Sequence, residues 1–195
     1  MALAHALSTY PYLQAWLKSE VDPLVAEEAI DAATVAIERA LGNVAFVQRT
    51  ITAERHKGGE GDGWRVKRGG AQRIYLHWSP IVSVSAIADD QDTPATVAST
   101  EYEIEPHYLE HHTYWPTPYY RWNVTYVAGH FSTVSAVTED VRLACHRLAA
   151  HILRGPQGPI TSETKGDSST AYDPATSQLP ADVMQLVSHY RRVSV

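Results

Sequence analysis

A chain of 195 residues with 44% hydrophobic residues is long enough to bury a core of its own, and a net charge of −6 argues against the whole surface being a grip for nucleic acid. No apolar run is long enough to span a bilayer, and MALAHALSTYPY lacks the basic region that opens a secretory signal, so neither is expected. The single cysteine excludes an internal disulfide and suits a reducing compartment.

In chain order, residues 10–18 read as a short helix with Leu13, Trp16 and Leu17 on its apolar side. Asp22 caps a second helix, with Pro23 at its first position, where a missing N–H costs nothing. Ile30, Ala33, Ile37 and Leu41 mark the inner face of that helix, and Glu27, Asp31, Thr34 and Glu38 the outer one. Gly42 and Asn43 end it. Phe46 to Glu54 is rich in β-branched residues and reads as a strand. HKGGEGDGWRVKRGG follows as a loop or hairpin tip; it lacks the Gly-Lys-Ser/Thr ending of a phosphate loop.

Gln72 to Trp78 and Ile81 to Ala88 are the next strands. Asp89, Asp90 and Asp92 form an acidic turn without the glycine and closing glutamate of a calcium loop. Tyr102 to Glu105 is a short strand, and HYLEHHTYWPTPYY reads as a proline-rich aromatic loop. From Arg121, the alternation of Trp122, Val124 and Tyr126 gives a strand with one buried face. Thr138 then stands where a helix N-cap should, with Glu139 and Asp140 in the first turn. Val141, Ala144, Cys145, Leu148 and Ile152 form an apolar stripe, with Cys145 read as a small buried hydrophobe, and Gly155 and Pro156 stop the helix. Beyond them a polar stretch cannot repay its own ordering entropy. LPADVMQLVSHYRR returns to helical spacing through Val183, Leu186, Val187 and Tyr190. That helix needs a surface to cover, either its own core or another subunit.

Three constellations invite chemistry. Glu105, His107, Glu110, His111 and His112 are donor types for zinc, without a helical HExxH spacing, so a metal-dependent hydrolase stands as one alternative to a polar interface loop. Seven of the 16 Lys plus Arg fall between Arg49 and Arg73, and Arg65, Lys67 and Arg68 lie in the glycine-rich loop. That loop fits a DNA-binding module, an acidic protein neighbour or a solvated hairpin. Aromatic residues crowd Tyr102 to Tyr126, and His111, His112, Tyr114 and Trp115 are candidates for a contact surface. No catalytic triad, Gly-x-Ser-x-Gly elbow or paired-carboxylate motif is present, and no cofactor is expected.

Four pieces in order carry a family resemblance: DPLVAEEAIDAATVAIERAL; IYLHWSPIVSVSAI; VTYVAGH before VTEDVRLACHRLAAHILR; and ITSETKGDSSTAY before LPADVMQLVSHYRR. Together they cover most of the chain, which resembles the head–tail connector (adaptor) proteins of long-tailed bacteriophages. The insertions at His56–Gly70 and His107–Tyr120 are longer than that pattern. The expected fold is α+β: a small helical bundle, with helices near 10–18, 22–41 and 138–154, packed with an antiparallel sheet or hairpin insertion over 45–127. Residues 1–155 would be the connector core. Residues 156–195 would be an extended C-terminal arm with a short helix that docks on a partner.

The resemblance implies a structural virion protein of the neck, between capsid and tail, assembled in the host cytoplasm, with no reaction to run. It implies a ring of copies, usually dodecameric, that binds beneath the portal protein and extends the DNA channel. The ring would offer a platform to a stopper, tail-terminator or other neck protein, and genomic DNA would pass through without sequence-specific binding. The resemblance makes the arm the portal-gripping part, with Glu163, Gly166, Asp167, Tyr172, Val183, Leu186 and Tyr190 as its expected contacts.

Overall fold

The computed structural model describes residues 4–57, 72–89, 96–113, 115, 121–154, 163–165, 168–170 and 179–192. In chain order the elements are α1 (Tyr10–Leu17), α2 (Pro23–Ala40), β1 (Arg49–Lys57), β2 (Gln72–Tyr75), β3 (Ile81–Asp89), β4 (Tyr102–Ile104), β5 (Tyr108–His111), β6 (Arg121–Ala128), α3 (Glu139–Leu153), β7 (Glu163–Lys165), β8 (Ser168–Thr170) and α4 (Ala181–Val187). Short 3-10 turns precede α3 and follow α4. The fold is mixed α+β, as expected, and the chain divides into two compact units. One is Met1–Gly42 with Val137–Arg191, and the other is Asn43–Ala136 with Arg192–Val195.

The helical unit is built on α3. The Asp22 carboxylate accepts the Leu24 N–H at 2.8 Å and the Val25 N–H at 3.4 Å, so the free donors at the start of α2 are capped as its sequence predicts. Ile30, Ala33, Ile37 and Leu41 are buried on α2, and Val141, Ala144, Cys145 and Leu148 on α3. Burial pushes the Cys145 thiol up to about 12, which leaves it an inert core residue. The outer face expected for α2 is only half correct: Thr34 and Glu38 are buried. At Thr34 the partner is an irregular N-terminal segment, Ala6, Leu7 and Ser8, which is itself buried, the Leu7 N–H donating to the Thr34 hydroxyl at 3.1 Å. Thr138 occupies the cap position of α3 in extended backbone, but its side chain makes no cap bond. Its hydroxyl lies 3.3 Å from that of Tyr190.

The sheet unit holds two antiparallel three-stranded sheets, in the orders β1-β6-β3 and β2-β5-β4. Trp122, Val124, Tyr126 and Ala128 all point inward from β6, so the period of two was a faithful signal. They share a core with Ile74, Leu76, Ile87, Tyr102, Leu109 and Trp115. Fully burying such side chains contributes about 1.5–3 kcal/mol each. The first strand is displaced from its expected span of 46–54. Val44 and Val47 make isolated bridges to Ser79 and Phe131, and the regular ladder starts at Arg49. A bulge between Ile51 and Glu54 places Ala53 at φ 51°, its N–H donating to the Thr125 hydroxyl at 3.1 Å. Strand β2 ends at Tyr75 rather than Trp78, and the stretch expected to be a loop after His107 contains β5, central to its sheet.

Gly129 closes β6 at φ +143°, and a Cβ there would lie 2.6 Å from Gln48 Cα. The backbone pairs around it: Gly129 N–H to Pro80 O at 2.9 Å, His130 N–H to Ala45 O at 3.1 Å and Phe131 N–H to Phe46 O at 2.7 Å. The glycine of the VTYVAGH motif is there because two backbones approach more closely than a side chain permits.

Candidate assembly surfaces

Helix α4 lies on α3 of its own chain. Val183 and Val187 are buried, and Leu186 and Tyr190 are half-buried. Polar contacts hold the rim: Arg147 to Asp182 at 3.2 Å and His189 to Asp140 at 3.4 Å. Both pairs are well exposed, so the seat rests on the two valines and the ion pairs add little. Glu163 opens β7, which pairs with β8, Lys165 opposite Ser168. Gly166, Asp167 and Tyr172 lie outside the described residues, as do Arg65, Lys67, Arg68 and Tyr114.

The histidine–aromatic loop has a definite order. His111 sits on β5, with Thr113 donating N–H to its Nδ1 at 3.1 Å and the Glu101 carboxylate 3.9 Å from its Nε2. Burial and the neighbouring His112 hold its pKa below the usual imidazole value against the pull of Glu101. His112 is exposed. Trp115, 0% exposed, turns inward, edge-on to His111 and Trp122, and belongs to the core instead of offering a contact surface. Among the described residues, no group of three or more His, Cys, Asp or Glu is placed to hold a metal ion.

Residues that sequence periodicity did not flag tie the sheet unit together. Glu54 accepts the His77 N–H at 2.8 Å, the Tyr126 hydroxyl at 2.5 Å and the His56 imidazole at 2.7 Å. Burial raises its pKa, but these bonds and the His56 charge outweigh burial and hold it below the usual carboxylate value. Burial and the Glu54 bond raise the Tyr126 phenol. Arg192 donates to the carbonyls of Leu76 and His77 at 3.1 and 3.3 Å and of His107 at 3.4 Å. Arg49 lies over the Trp78 ring, 3.8 Å from its centroid.

In the helical unit, Ser8 Oγ and His146 Nε2 are 2.6 Å apart. Such a pair is the geometry of nucleophilic catalysis. Here both side chains are buried, the charged group acting on the ring is Arg142, and no carboxylate orients the ring among the described residues. The pair pins the N-terminal segment to α3. Burial first, and Arg142 second, push the His146 pKa down to about 4.

What remains exposed and apolar lies largely at helix ends: Tyr12, Trp16, Leu24, Val25 and Ile152. A groove of about 260 Å³ runs along α3 beside α4, lined by Trp16, Arg147, Ala150, His151, Arg154 and Val183 among others. No described helix is long and apolar enough to cross a membrane.

No protein-family model matches the sequence, and no curated protein sequence matches it. Solved structures do match its fold. A chain in the neck of the empty gene transfer agent (GTA) particle, computed with C6 symmetry, superposes with a TM-score of 0.65 at 19% identity, covering 95% of this chain and 89% of that one. A chain of the virion of the native GTA particle gives 0.65 at 19% identity over 100% and 94%. A chain in the neck of the native GTA particle, computed with C12 symmetry, gives 0.60 at 22% identity over 100% and 97%. From end to end, the protein has the fold of these neck and virion chains.

Proposed function

We propose that the chain is a structural neck protein: a head–tail connector that forms a ring beneath the portal, extends the DNA channel and presents a platform to the next neck or tail protein. The observation that carries this reading is the extent of the fold likeness, 95–100% of the chain, to chains taken from the necks and virion of a gene transfer agent. The surface chemistry agrees. The Ser8–His146 pair, close enough to act as a nucleophile and base, is buried. An acidic ring of copies would repel DNA and let it slide, where many phosphate contacts would hold it.

The portal contact belongs to the arm between α3 and α4, through Glu163, Gly166, Asp167 and Tyr172. Leu186 and Tyr190 lie at its α4 end, and Val183 holds α4 on α3. The test is electron microscopy of the purified protein mixed with its portal. The expected image is a ring of copies coaxial with the portal. Replacing residues 161–177 with a Gly-Ser segment of equal length should remove that complex while leaving the circular dichroism of both units intact. A portal complex unchanged by the replacement would rule out the arm, and a wild-type protein that never meets the portal would rule out the connector reading.

A further inference from the structure

The helical unit carries two unlike surfaces whose chemistry is complementary. At the start of α2, Leu24 is 66% exposed and Val25 49% exposed. Glu27 and Glu28 stand three and four residues beyond Leu24, on the same face of the helix, and Glu20 and Asp22 precede it. The result is an apolar knob ringed by carboxylates. Two large aliphatic side chains displayed among like charges gain nothing for the isolated chain, and burying them would gain hydrophobic free energy.

The second surface is the groove beside α4. Trp16, Ala150, Pro180 and Val183 line it together with Arg147, His151 and Arg154 from the last turns of α3 and Asp182 from α4. Arg147 is already committed to Asp182 at 3.2 Å. Arg154 is exposed and meets no carboxylate among the described residues. In a chain of net charge −6, the groove therefore keeps one uncompensated positive charge, Arg154, beside apolar side chains. Helices α2 and α4 each pack on α3; the knob is carried by α2, and the groove is lined by residues of α1, α3 and α4 with Pro180 before α4.

We propose that the knob of one copy, Leu24 and Val25 with Glu27 and Glu28, seats in the groove of the next, against Trp16 and Ala150 and under Arg154 and His151. This rests on the ring reading above and names the contact that closes the ring. Joining two different surfaces makes a head-to-tail interface, which propagates around a closed ring instead of stopping at a two-fold dimer. The sign of the charges sets the register: knob against knob is acid against acid, whereas knob against groove brings carboxylates to Arg154.

The experiment reverses each partner and reads assembly by native mass spectrometry and sedimentation. A knob variant carries Glu27→Lys with Glu28→Lys, a groove variant carries His151→Glu with Arg154→Glu, and a third chain carries all four. Wild type should form closed rings. Each single-surface variant should associate about a hundredfold more weakly with itself. An equal mixture of the two should form rings of alternating copies, because the lysine knob matches the glutamate groove and the unchanged knob matches the unchanged groove. The chain with all four changes should form rings again, which also shows that the reversed side chains leave the fold intact. Single-surface variants that form rings as wild type does would overturn this contact and leave the ring reading standing. A wild-type chain that stays monomeric at every concentration would overturn the ring reading itself.

Discussion

Replacing Gly129 by alanine would place a methyl group 2.6 Å from the backbone of Gln48 and ask an L-residue to hold φ +143°. The backbone bonds around it tie the end of β6 to residues 45–48, so neither side yields cheaply. Gly129→Ala should lose well over about 1 kcal/mol in urea unfolding of the sheet unit. His146 makes a second residue-scale prediction, in acid. Its native pKa of about 4 is below the ordinary 6.5, so the unfolded chain binds the extra proton. The stability tied to its neutral form is therefore full above pH 6.5 and drains away as pH falls toward 4, by about 3 kcal/mol in total. Glu54, held below its usual value, adds losses only lower, as pH falls through the carboxylate range. His146→Gln keeps a side chain able to bond Ser8 and removes the titration. Its stability should fall less steeply than wild type's between pH 6.5 and 5, with His107 and His111, also held below the usual imidazole value by burial, supplying the remaining slope, and a slope equal to wild type would refute the assignment. None of these roles has a sequence signature. Ser8 precedes the first helix, His146 looks like any residue between two stripe positions, and Arg192 follows the last turn.

The elements themselves were largely legible. The Asp22–Pro23 start of α2, the 3.6-residue stripe of α3 and the alternation in β6 each express one local rule that the tertiary structure does not override. The failures occur where a distant segment decides. Thr34 and Glu38 lie on the polar side of α2 by periodicity, yet both are buried, and Thr34 is bonded to the N-terminal segment. Residues 108–111 carry two histidine-rich neighbours and little β-branching, yet β5 is held between β2 and β4 by pairing on both edges. Trp115 stands in a proline-rich stretch that looks exposed and fills the core. For α4 the periodicity showed a helix in need of a surface and left the choice open, and the family resemblance put it on a partner; Val183 and Val187 are instead buried where α4 packs on α3 of the same chain. Val187→Asp should put an unpaired charge into that seat. Limited proteolysis should then cut between Arg154 and Tyr190 many times faster, with the sheet unit unaffected. Cleavage at the wild-type rate would show that the valines do not hold α4.

At the scale of the whole molecule, the fold likeness runs the length of the chain while identity stays at 19–22%. What these chains share is the placement of helices and strands. The candidate site was the least legible part, because a contact surface has no spacing rule comparable to a metal or nucleotide motif. If assembly depends on carboxylates meeting Arg154 of α3, ring formation should weaken as salt rises from low to physiological levels, since exposed charges are screened beyond about 8 Å. Sedimentation across a salt series measures this directly, and salt-independent assembly would argue for contacts that are purely apolar.

The seat of α4 on α3 changes what kind of object the arm is. A tail fixed at one end can fish for a target anywhere within its full contour. A stretch of about two dozen residues, fastened to the same unit at Arg154 and again at α4, is a hoop, and it must travel out and back. Its apex can stand no more than about 40 Å from its feet, whatever shape it takes. A partner engaged by the hoop must come to the subunit's own doorstep, and releasing α4 would roughly double the distance over which it can be caught.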